Sequence, residues 1–88
     1  MTTYEIRVSS PARRDLNQLP EAVAAAVIEF IFGPLAENPR RVGKLLTNEL
    51  QGRFSARRGQ YRIIYRIDDE RVVVEVIRVA HRRVAYHR

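Results

Sequence analysis

Arginines gather in the C-terminal half of the chain, where their side chains could bind phosphate groups. They are Arg53, Arg57, Arg58, Arg62, Arg66, Arg71, Arg78, Arg82, Arg83 and Arg88. A planar guanidinium donates two parallel hydrogen bonds to phosphate oxygens, so arginine suits phosphate recognition better than lysine does. The net charge of +6 also indicates an anionic partner: nucleic acid, an acidic protein or an anionic membrane. The alternative is a basic surface that serves only solubility.

The residues that end the chain could help to cut RNA without a metal. His81, Arg82 and Tyr86 supply an imidazole, a cation and an aromatic ring. Cleavage by the 2′-hydroxyl needs a cation to stabilise the charged phosphorane and a proton for the departing 5′ oxygen. A tyrosine can stack on a base or orient a phosphate. The plainer interpretations are an exposed histidine, a tyrosine that anchors the tail in the core, and, for Lys44, an ordinary solvated lysine.

The apolar pattern of the N-terminal half predicts a strand and two helices. Tyr4 begins an alternation of apolar and polar residues over residues 3–8, which is typical of a strand. Ser10 followed by Pro11 predicts the start of a short helix that ends near Leu19. Pro20 opens a second helix in the same way, with apolar residues at helical spacing.

Three strands are predicted to follow this half of the chain. Gly33 and Pro34 should kink or end the second helix, and residues 38–44, which include Lys44, read as a loop. The alternation then changes to a period of two over residues 53–57 and 61–67, with a tight turn at Gly59 between them. A turn near residues 68–69 leads into an apolar run over 72–79, a central strand whose two faces the pattern does not distinguish.

The sequence therefore predicts an α+β fold with the order β-α-α-β-β-β. Two N-terminal helices should cover one face of a small, mainly antiparallel four-stranded sheet, which leaves the other face open to a ligand. The turn at Gly59 places Arg53, Ser55 and Arg57 on the same face as Arg62 and Arg66. Like charges that face each other across strands are unfavourable by a few tenths to about 1 kcal/mol per pair, so a bound anion would stabilise this face. The alternative is that these arginines splay into water or pair with the acids at 68, 69 and 75.

Composition narrows the class of protein further. Residues 1–88 are expected to form one domain, because shorter pieces would bury too small a core. The sequence has neither a long apolar run nor the pattern of a signal peptide, so we expect a cytoplasmic protein that does not enter a membrane. With no cysteine and only two histidines, no metal or other cofactor is expected.

Residues 52–65, the apolar strand after them and the ending from His81 to Tyr86 resemble the RelE/ParE superfamily of bacterial toxins. The resemblance covers almost the whole chain and implies a RelE-like fold. It also implies the toxin of a type II toxin-antitoxin pair, in the RelE branch a ribosome-dependent endoribonuclease that cuts messenger RNA in the A site and inhibits translation. The products would be a 2′,3′-cyclic phosphate and a 5′-hydroxyl.

The resemblance also implies roles for particular residues. Arg62 matches a phosphate-binding strand arginine, Arg82 the arginine after the last strand, and Tyr86 a tyrosine that stacks on or orients the substrate. Arg53 stands where RelE has a strand lysine. Ser55 stands where RelE has a second strand lysine, so a proposed general base is missing and His81 is the natural replacement. The RNA-binding residues would be Arg53, Arg57, Lys44 and Arg66.

Partners follow from the same resemblance. They would be an acidic, RelB-like antitoxin, the ribosome and its messenger RNA, with operator DNA reached only through the antitoxin. Two other functions stay open: inhibition of DNA gyrase, as in the ParE branch, and binding of nucleic acid without cleavage. The first predicts loss of gyrase activity, and the second predicts salt-sensitive binding with no cleaved product.

Overall fold

A computed structural model describes residues 3–46 and 52–81 of the chain. The helices and strands are β1 (Glu5–Val8), α1 (Ser10–Asn17), α2 (Glu21–Phe30), α3 (Pro39–Val42), β2 (Gly43–Leu45), β3 (Phe54–Arg58), β4 (Tyr61–Asp68) and β5 (Val73–His81). The strands form one sheet in the order β1-β5-β4-β3-β2. Only the β1–β5 pair is parallel within this sheet, and the predicted α+β layout is confirmed.

The two long helices begin where the prolines predict, with one shift. The capping residue of α1 is Ser9 and not Ser10: the Ala12 amide donates to the Ser9 hydroxyl oxygen at 3.2 Å. Capping by a serine oxygen satisfies an amide that has no partner within the first turn of a helix. Pro20 precedes α2, as predicted.

The second helix changes its winding where Gly33 and Pro34 predicted a kink or an end. The α-helix ends at Phe30, and Ile31–Leu35 continue it as a π-helical turn that contains Pro34. Proline cannot donate the amide hydrogen bond that an α-helix needs, and a wider turn accommodates the loss. Ile31 and Leu35 remain fully buried through this turn.

The sheet has a fifth strand that the sequence analysis assigned to a loop. Gly43, Lys44 and Leu45 form β2, which pairs antiparallel with β3. Three residues after a short helical turn give too little alternation to indicate a strand. The consequence is that Lys44 belongs to the sheet and has a fixed position beside β3.

The core lies between the helices and one face of the sheet. Ile31 and Leu35 from the helical side pack with Ile63, Tyr65 and Val76 from the strands. The Tyr65 hydroxyl donates to the Pro39 carbonyl oxygen at 2.5 Å, and burial raises the pKa of this tyrosine to about 12. Tyr65 therefore stays a hydrogen-bond donor and fastens α3 to the sheet.

A bulge determines the faces of β5. Ile64 lies opposite Arg78 while Tyr65 lies opposite Val76, so Ile77 is an extra residue on β5. An extra residue reverses the alternation of the strand. Val76 and Val79 both point into the core as a result, although they are three positions apart. This explains why the apolar run over 72–79 did not reveal its faces.

The second half of β5 extends past the end of β1, which pairs only as far as Val76. The turn before α1 and α1 itself take over from β1 there. The Ser9 hydroxyl donates to the Ile77 carbonyl oxygen at 2.8 Å, and the Val79 amide donates to the Asp15 carboxylate at 2.9 Å. These contacts satisfy backbone groups that a neighbouring strand would otherwise have to satisfy.

Among residues 3–46 and 52–81, no helix has the length and apolar character that crossing a membrane requires.

Candidate nucleic-acid interface

One face of the sheet carries the arginines that the sequence predicted to gather. Ile63 and Tyr65 of β4 are buried towards the helices, so the alternate residues Arg62 and Arg66 point to the opposite side. On β3, Arg57 lies directly opposite Arg62 in the antiparallel register. The turn between these strands is Gly59-Gln60, with Gly59 at a φ of 63°, as the sequence predicted.

Strand β2 extends this face by one more cation. Lys44 lies opposite Ser55, and Ser55 lies opposite Ile64 on its other side. We call this helix-free surface the basic face. On strands β2 to β4 its cations are Lys44, Arg57, Arg62 and Arg66, together with Arg53 directly before β3.

The cations of the basic face differ in burial. Arg53 and Arg62 are half-buried and their Nε atoms are shielded from solvent. Lys44, Arg57 and Arg66 are exposed. Arginines whose stems lie along the sheet lose little further freedom when they bind a ligand, so Arg53 and Arg62 are the better placed to hold a phosphate in a fixed position.

Acidic residues divide the basic face into two regions. Glu75 lies opposite Arg66 on one side and opposite Arg7 on the other, which gives a row of alternating charge across three strands. An open cavity of about 590 Å³ lies beside this row. Its lining includes both basic and acidic side chains, among them Arg71, Asp68 and Glu70. An anion is therefore better accommodated at the other end of the face, around Arg57 and Arg62.

Two of the three acids named as alternative partners of the arginines, Asp68 and Asp69, have other contacts, whereas Glu75 lies opposite Arg66. Asp69 accepts two hydrogen bonds from Arg40, at 2.8 and 2.6 Å, and one from Tyr4 at 2.9 Å. The Arg40 and Tyr4 hydrogen bonds hold the pKa of Asp69 below its usual value. Asp68 accepts the backbone amide of Arg71 at 3.2 Å. These contacts join the β4–β5 turn to α3 and the N-terminal segment.

His81 does not lie with Arg62 on the basic face. The register places His81 opposite Tyr61, and their rings meet edge to face with centroids 5.4 Å apart. Tyr61 in turn lines an apolar groove with Val23 and Val27 of α2. His81 is therefore on the helix side at the end of β5, and its predicted role in proton transfer stays a prediction.

The other two residues of the predicted catalytic set, Arg82 and Tyr86, lie outside the described residues. The chain reaches Arg82 directly after β5 ends at His81. Ala80, the residue before His81, lies opposite Arg62. The structure thus brings Arg62, Arg53, Arg57 and Lys44 to one surface, and β5 ends beside it.

Side chains of the kinds that bind metal ions do not cluster in the described part of the chain. In residues 3–46 and 52–81, no three histidine, cysteine, aspartate or glutamate side chains come together as ligands. The chemistry that these residues support directly is the binding of a phosphate by guanidinium and ammonium groups.

Comparisons with known proteins show which family the chain resembles. The family model for the ParE toxin of type II toxin-antitoxin systems matches residues 6–86. Toxin RelG of Mycobacterium tuberculosis is 55% identical over 97% of this chain and 98% of its own length. Toxin RelE of the same organism is 52% identical over 94% of this chain and 86% of its own length.

Solved structures of toxins also match this chain. A chain of the toxin-antitoxin complex RelBE2 from Mycobacterium tuberculosis matches with a TM-score of 0.88 and 56% identity, over 93% of this chain and 94% of that one. The isolated toxin RelE of Escherichia coli matches with a TM-score of 0.73 and 25% identity, over 89% of this chain and 83% of that one.

Proposed function

The chain belongs to the RelE/ParE family of type II toxins, and we propose that it is an endoribonuclease that cleaves messenger RNA on the ribosome and so arrests translation. RelE toxins are ribosome-dependent mRNA endonucleases. The observation that carries the proposal for this chain is the basic face, where Arg57 lies opposite Arg62 with no helix above them. Such a surface is complementary to an RNA backbone and unfavourable without one.

The proposed reaction is an attack by the ribose 2′-hydroxyl on the adjacent phosphorus. The bond from phosphorus to the 5′ oxygen breaks, and the products are a 2′,3′-cyclic phosphate and a 5′-hydroxyl. Arg62 and Arg53 hold the scissile phosphate, since both are half-buried and their Nε atoms are shielded. Fixed cations stabilise the charge that develops on the phosphorane more strongly than water does.

Arg82 and Tyr86 complete the proposed site. Arg82 stabilises the developing charge and Tyr86 fixes the neighbouring base by stacking. Support for their roles comes from the sequence, because both follow β5, whose Ala80 lies opposite Arg62. Arg57, Arg66 and Lys44 bind the RNA on either side of the scissile phosphate.

The partner that restrains the toxin is proposed to be an acidic antitoxin of the RelB type. RelB antitoxins occur in complexes with RelE proteins from several organisms, among them the intact RelBE complex of Escherichia coli. An acidic chain is complementary to a protein with a net charge of +6. The operator DNA would then be bound by the antitoxin, and the toxin would act in the cytoplasm, where ribosomes translate.

Inhibition of DNA gyrase is the second candidate, because the family model that matches carries the description of ParE. One experiment separates the two functions. The purified chain is added to translating ribosomes and message ends are mapped by primer extension, and the same preparation is tested on gyrase supercoiling. We expect new 5′ ends within codons, no effect on gyrase, and a 2′,3′-cyclic phosphate on the upstream product.

Variants connect this activity to the basic face. Arg62→Ala should lower cleavage about 100- to 1,000-fold, as the loss of one electrostatic contact to a transition state does elsewhere. Arg13→Ala is the matched control, because Arg13 is an exposed arginine of α1 and not of the sheet. Intact cleavage by Arg62→Ala, or gyrase inhibition without cleaved message, would contradict the proposal.

A further inference from the structure

Lys44 is the only lysine in the sequence; the other fifteen of its sixteen basic residues are arginines. It is also on the basic face, because β2 pairs with β3 and places Lys44 opposite Ser55. A single ammonium among guanidinium groups differs from its neighbours in one chemical property. Lysine can give up its proton, whereas arginine stays protonated throughout the range in which proteins fold.

The cleavage proposed above requires a proton at the departing 5′ oxygen. The arginines of the basic face can stabilise negative charge, but they cannot donate a proton to that oxygen. Within the described residues, the imidazole of His81 packs on Tyr61 on the helix side of the sheet. On the basic face itself, Lys44 is the described side chain that combines a positive charge with a proton that it can give up.

The strand register gives Lys44 access to the phosphate that Arg62 holds. Ser55 stands between Lys44 on β2 and Ile64 on β4, and Arg62 lies two residues from Ile64. Neighbouring strands are about 4.8 Å apart and two residues span about 6.6 Å along a strand, so the backbones of Lys44 and Arg62 are roughly 12 Å apart, a gap that their long side chains can share with a phosphate. The short side chain of Ser55 leaves the space between them open to a phosphate.

The backbone of Lys44 is held on both sides. Gly43 lies against the phenol of Tyr65, whose hydroxyl is bonded to Pro39. On the other side, the Leu46 amide donates to the Arg53 carbonyl oxygen at 2.9 Å. The exposed side chain therefore extends from a fixed point, which a proton donor needs.

We propose that Lys44 is the general acid of the cleavage reaction, an inference that rests on the proposed function. The 2′ oxygen forms its bond to phosphorus and loses its proton to water. As the bond to the 5′ oxygen breaks, the Lys44 ammonium donates a proton to that oxygen and becomes a neutral amine. The amine then regains a proton from water, which restores the site and balances the two transfers.

Lys44→Arg is the informative variant, because it keeps the positive charge and removes the transferable proton. Cleavage of ribosome-bound message is measured under single-turnover conditions for Lys44→Arg and Lys44→Ala. We expect both variants to cleave at least about 100-fold more slowly, since a general acid contributes roughly 10² to 10⁴ in rate. Arg13→Lys, at an exposed arginine of α1 outside the basic face, serves as the matched control, and a thermal melt of each variant checks the fold.

A modified message tests the role of the proton directly. A sulfur atom replaces the 5′ oxygen at the scissile bond, and a thiolate leaves without protonation. Lys44→Arg should cleave this message within about tenfold of the unmodified protein, since the step that needs a general acid no longer limits the rate. An equal defect on both messages would overturn the inference and leave Lys44 as a binding residue.

The possible failures are distinguishable. If the unmodified protein does not cleave message on ribosomes, the proposed function is wrong. If it cleaves and Lys44→Arg cleaves equally fast, the function stands and the role of Lys44 as general acid is excluded. A slow Lys44→Arg that is restored by the sulfur-containing message supports both.

Discussion

The phenol of Tyr65 occupies the space into which a side chain at Gly43 would project. A Cβ at position 43 would overlap the Tyr65 hydroxyl, and it would lie 2.9 Å from the Ser55 carbonyl oxygen. The same hydroxyl donates to Pro39 at 2.5 Å. This contact holds the start of β2 against β4 and so determines where Lys44 stands on the basic face.

Gly43→Ala should destabilise the fold by about 1 to 3 kcal/mol, because a methyl group would be forced into an occupied site. Tyr65→Phe should cost about 1 kcal/mol through the loss of the hydrogen bond to Pro39. In the double variant the hydroxyl that the new methyl group would overlap is absent. The free energy of unfolding that the double variant loses should therefore be smaller than the sum of the losses in the two single variants. Urea denaturation of the three variants measures this difference, and strict additivity would contradict the contact.

Asp15 should make stability depend on acid pH. Burial alone would raise its pKa, but hydrogen bonds from Arg78 and the Val79 amide, with the charges of Arg78 and Arg14, hold the pKa below its usual value. A carboxyl with a lowered pKa in the folded state stabilises above its unfolded pKa, near 4, and this contribution is lost as pH falls through the folded value. The free energy of unfolding should therefore fall more steeply below about pH 4 in the unmodified protein than in Asp15→Asn.

Asp69→Asn is the control for Asp15. Asp69 also binds an arginine at short distance, 2.6 Å to Arg40, but both side chains are 55% exposed. The Asp15 carboxylate is 15% exposed and also accepts a backbone amide. Solvent screens the first pair far more than the second, so Asp69→Asn should change stability much less than Asp15→Asn. Equal losses of stability in the two variants would show that burial does not determine how strongly these ion pairs stabilise the protein.

Arg57→Gln should stabilise the free protein while it impairs RNA cleavage. Arg57 lies opposite Arg62 across the β3–β4 pair, and like charges in that relation cost a few tenths to about 1 kcal/mol. Added salt screens this repulsion, so raising the salt concentration should stabilise the unmodified protein more than the variant. Urea denaturation at low and high salt tests the first effect, and primer extension on ribosomes tests the second. Arg13→Gln, on α1, should show neither.

His81→Phe should preserve cleavage. The ring of His81 packs edge to face on Tyr61, and a phenyl ring can keep that contact without an exchangeable proton. His81→Ala should lower thermal stability through the loss of the contact. If a stable His81→Phe protein no longer cleaves message, proton transfer would be assigned to His81, and the proposed role of Lys44 as general acid would be wrong.

Local chemistry in the sequence predicted the features that depend on near neighbours. The proline at position 20 marked the start of α2, and the glycine at position 59 marked the tight turn that aligns Arg57 with Arg62. Alternation over β3 and β4 then predicted the basic face, because a two-residue turn fixes the register of its strands.

Features that depend on distant contacts were not predicted. Strand β2 is three residues long and is defined by its pairing with β3, which no local pattern indicates. The bulge at Ile77 and the hydrogen bond from the Val79 amide to the Asp15 carboxylate depend on contacts between segments more than ten residues apart along the chain. Because β2 is not visible in the local pattern, the spacing alone indicated an ordinary loop lysine at position 44, and the family resemblance placed Lys44 among the RNA-binding residues.

The contacts of Ser9 and Asp15 with β5 have a consequence for self-association. A strand that runs past its neighbour presents free amides and carbonyls, to which another polypeptide can add as a further strand. Here the Ile77 carbonyl and the Val79 amide are already bonded by side chains from the start of α1 and from within it. An incoming strand would first have to detach that helix, so this border of the sheet resists uncontrolled polymerisation of the toxin.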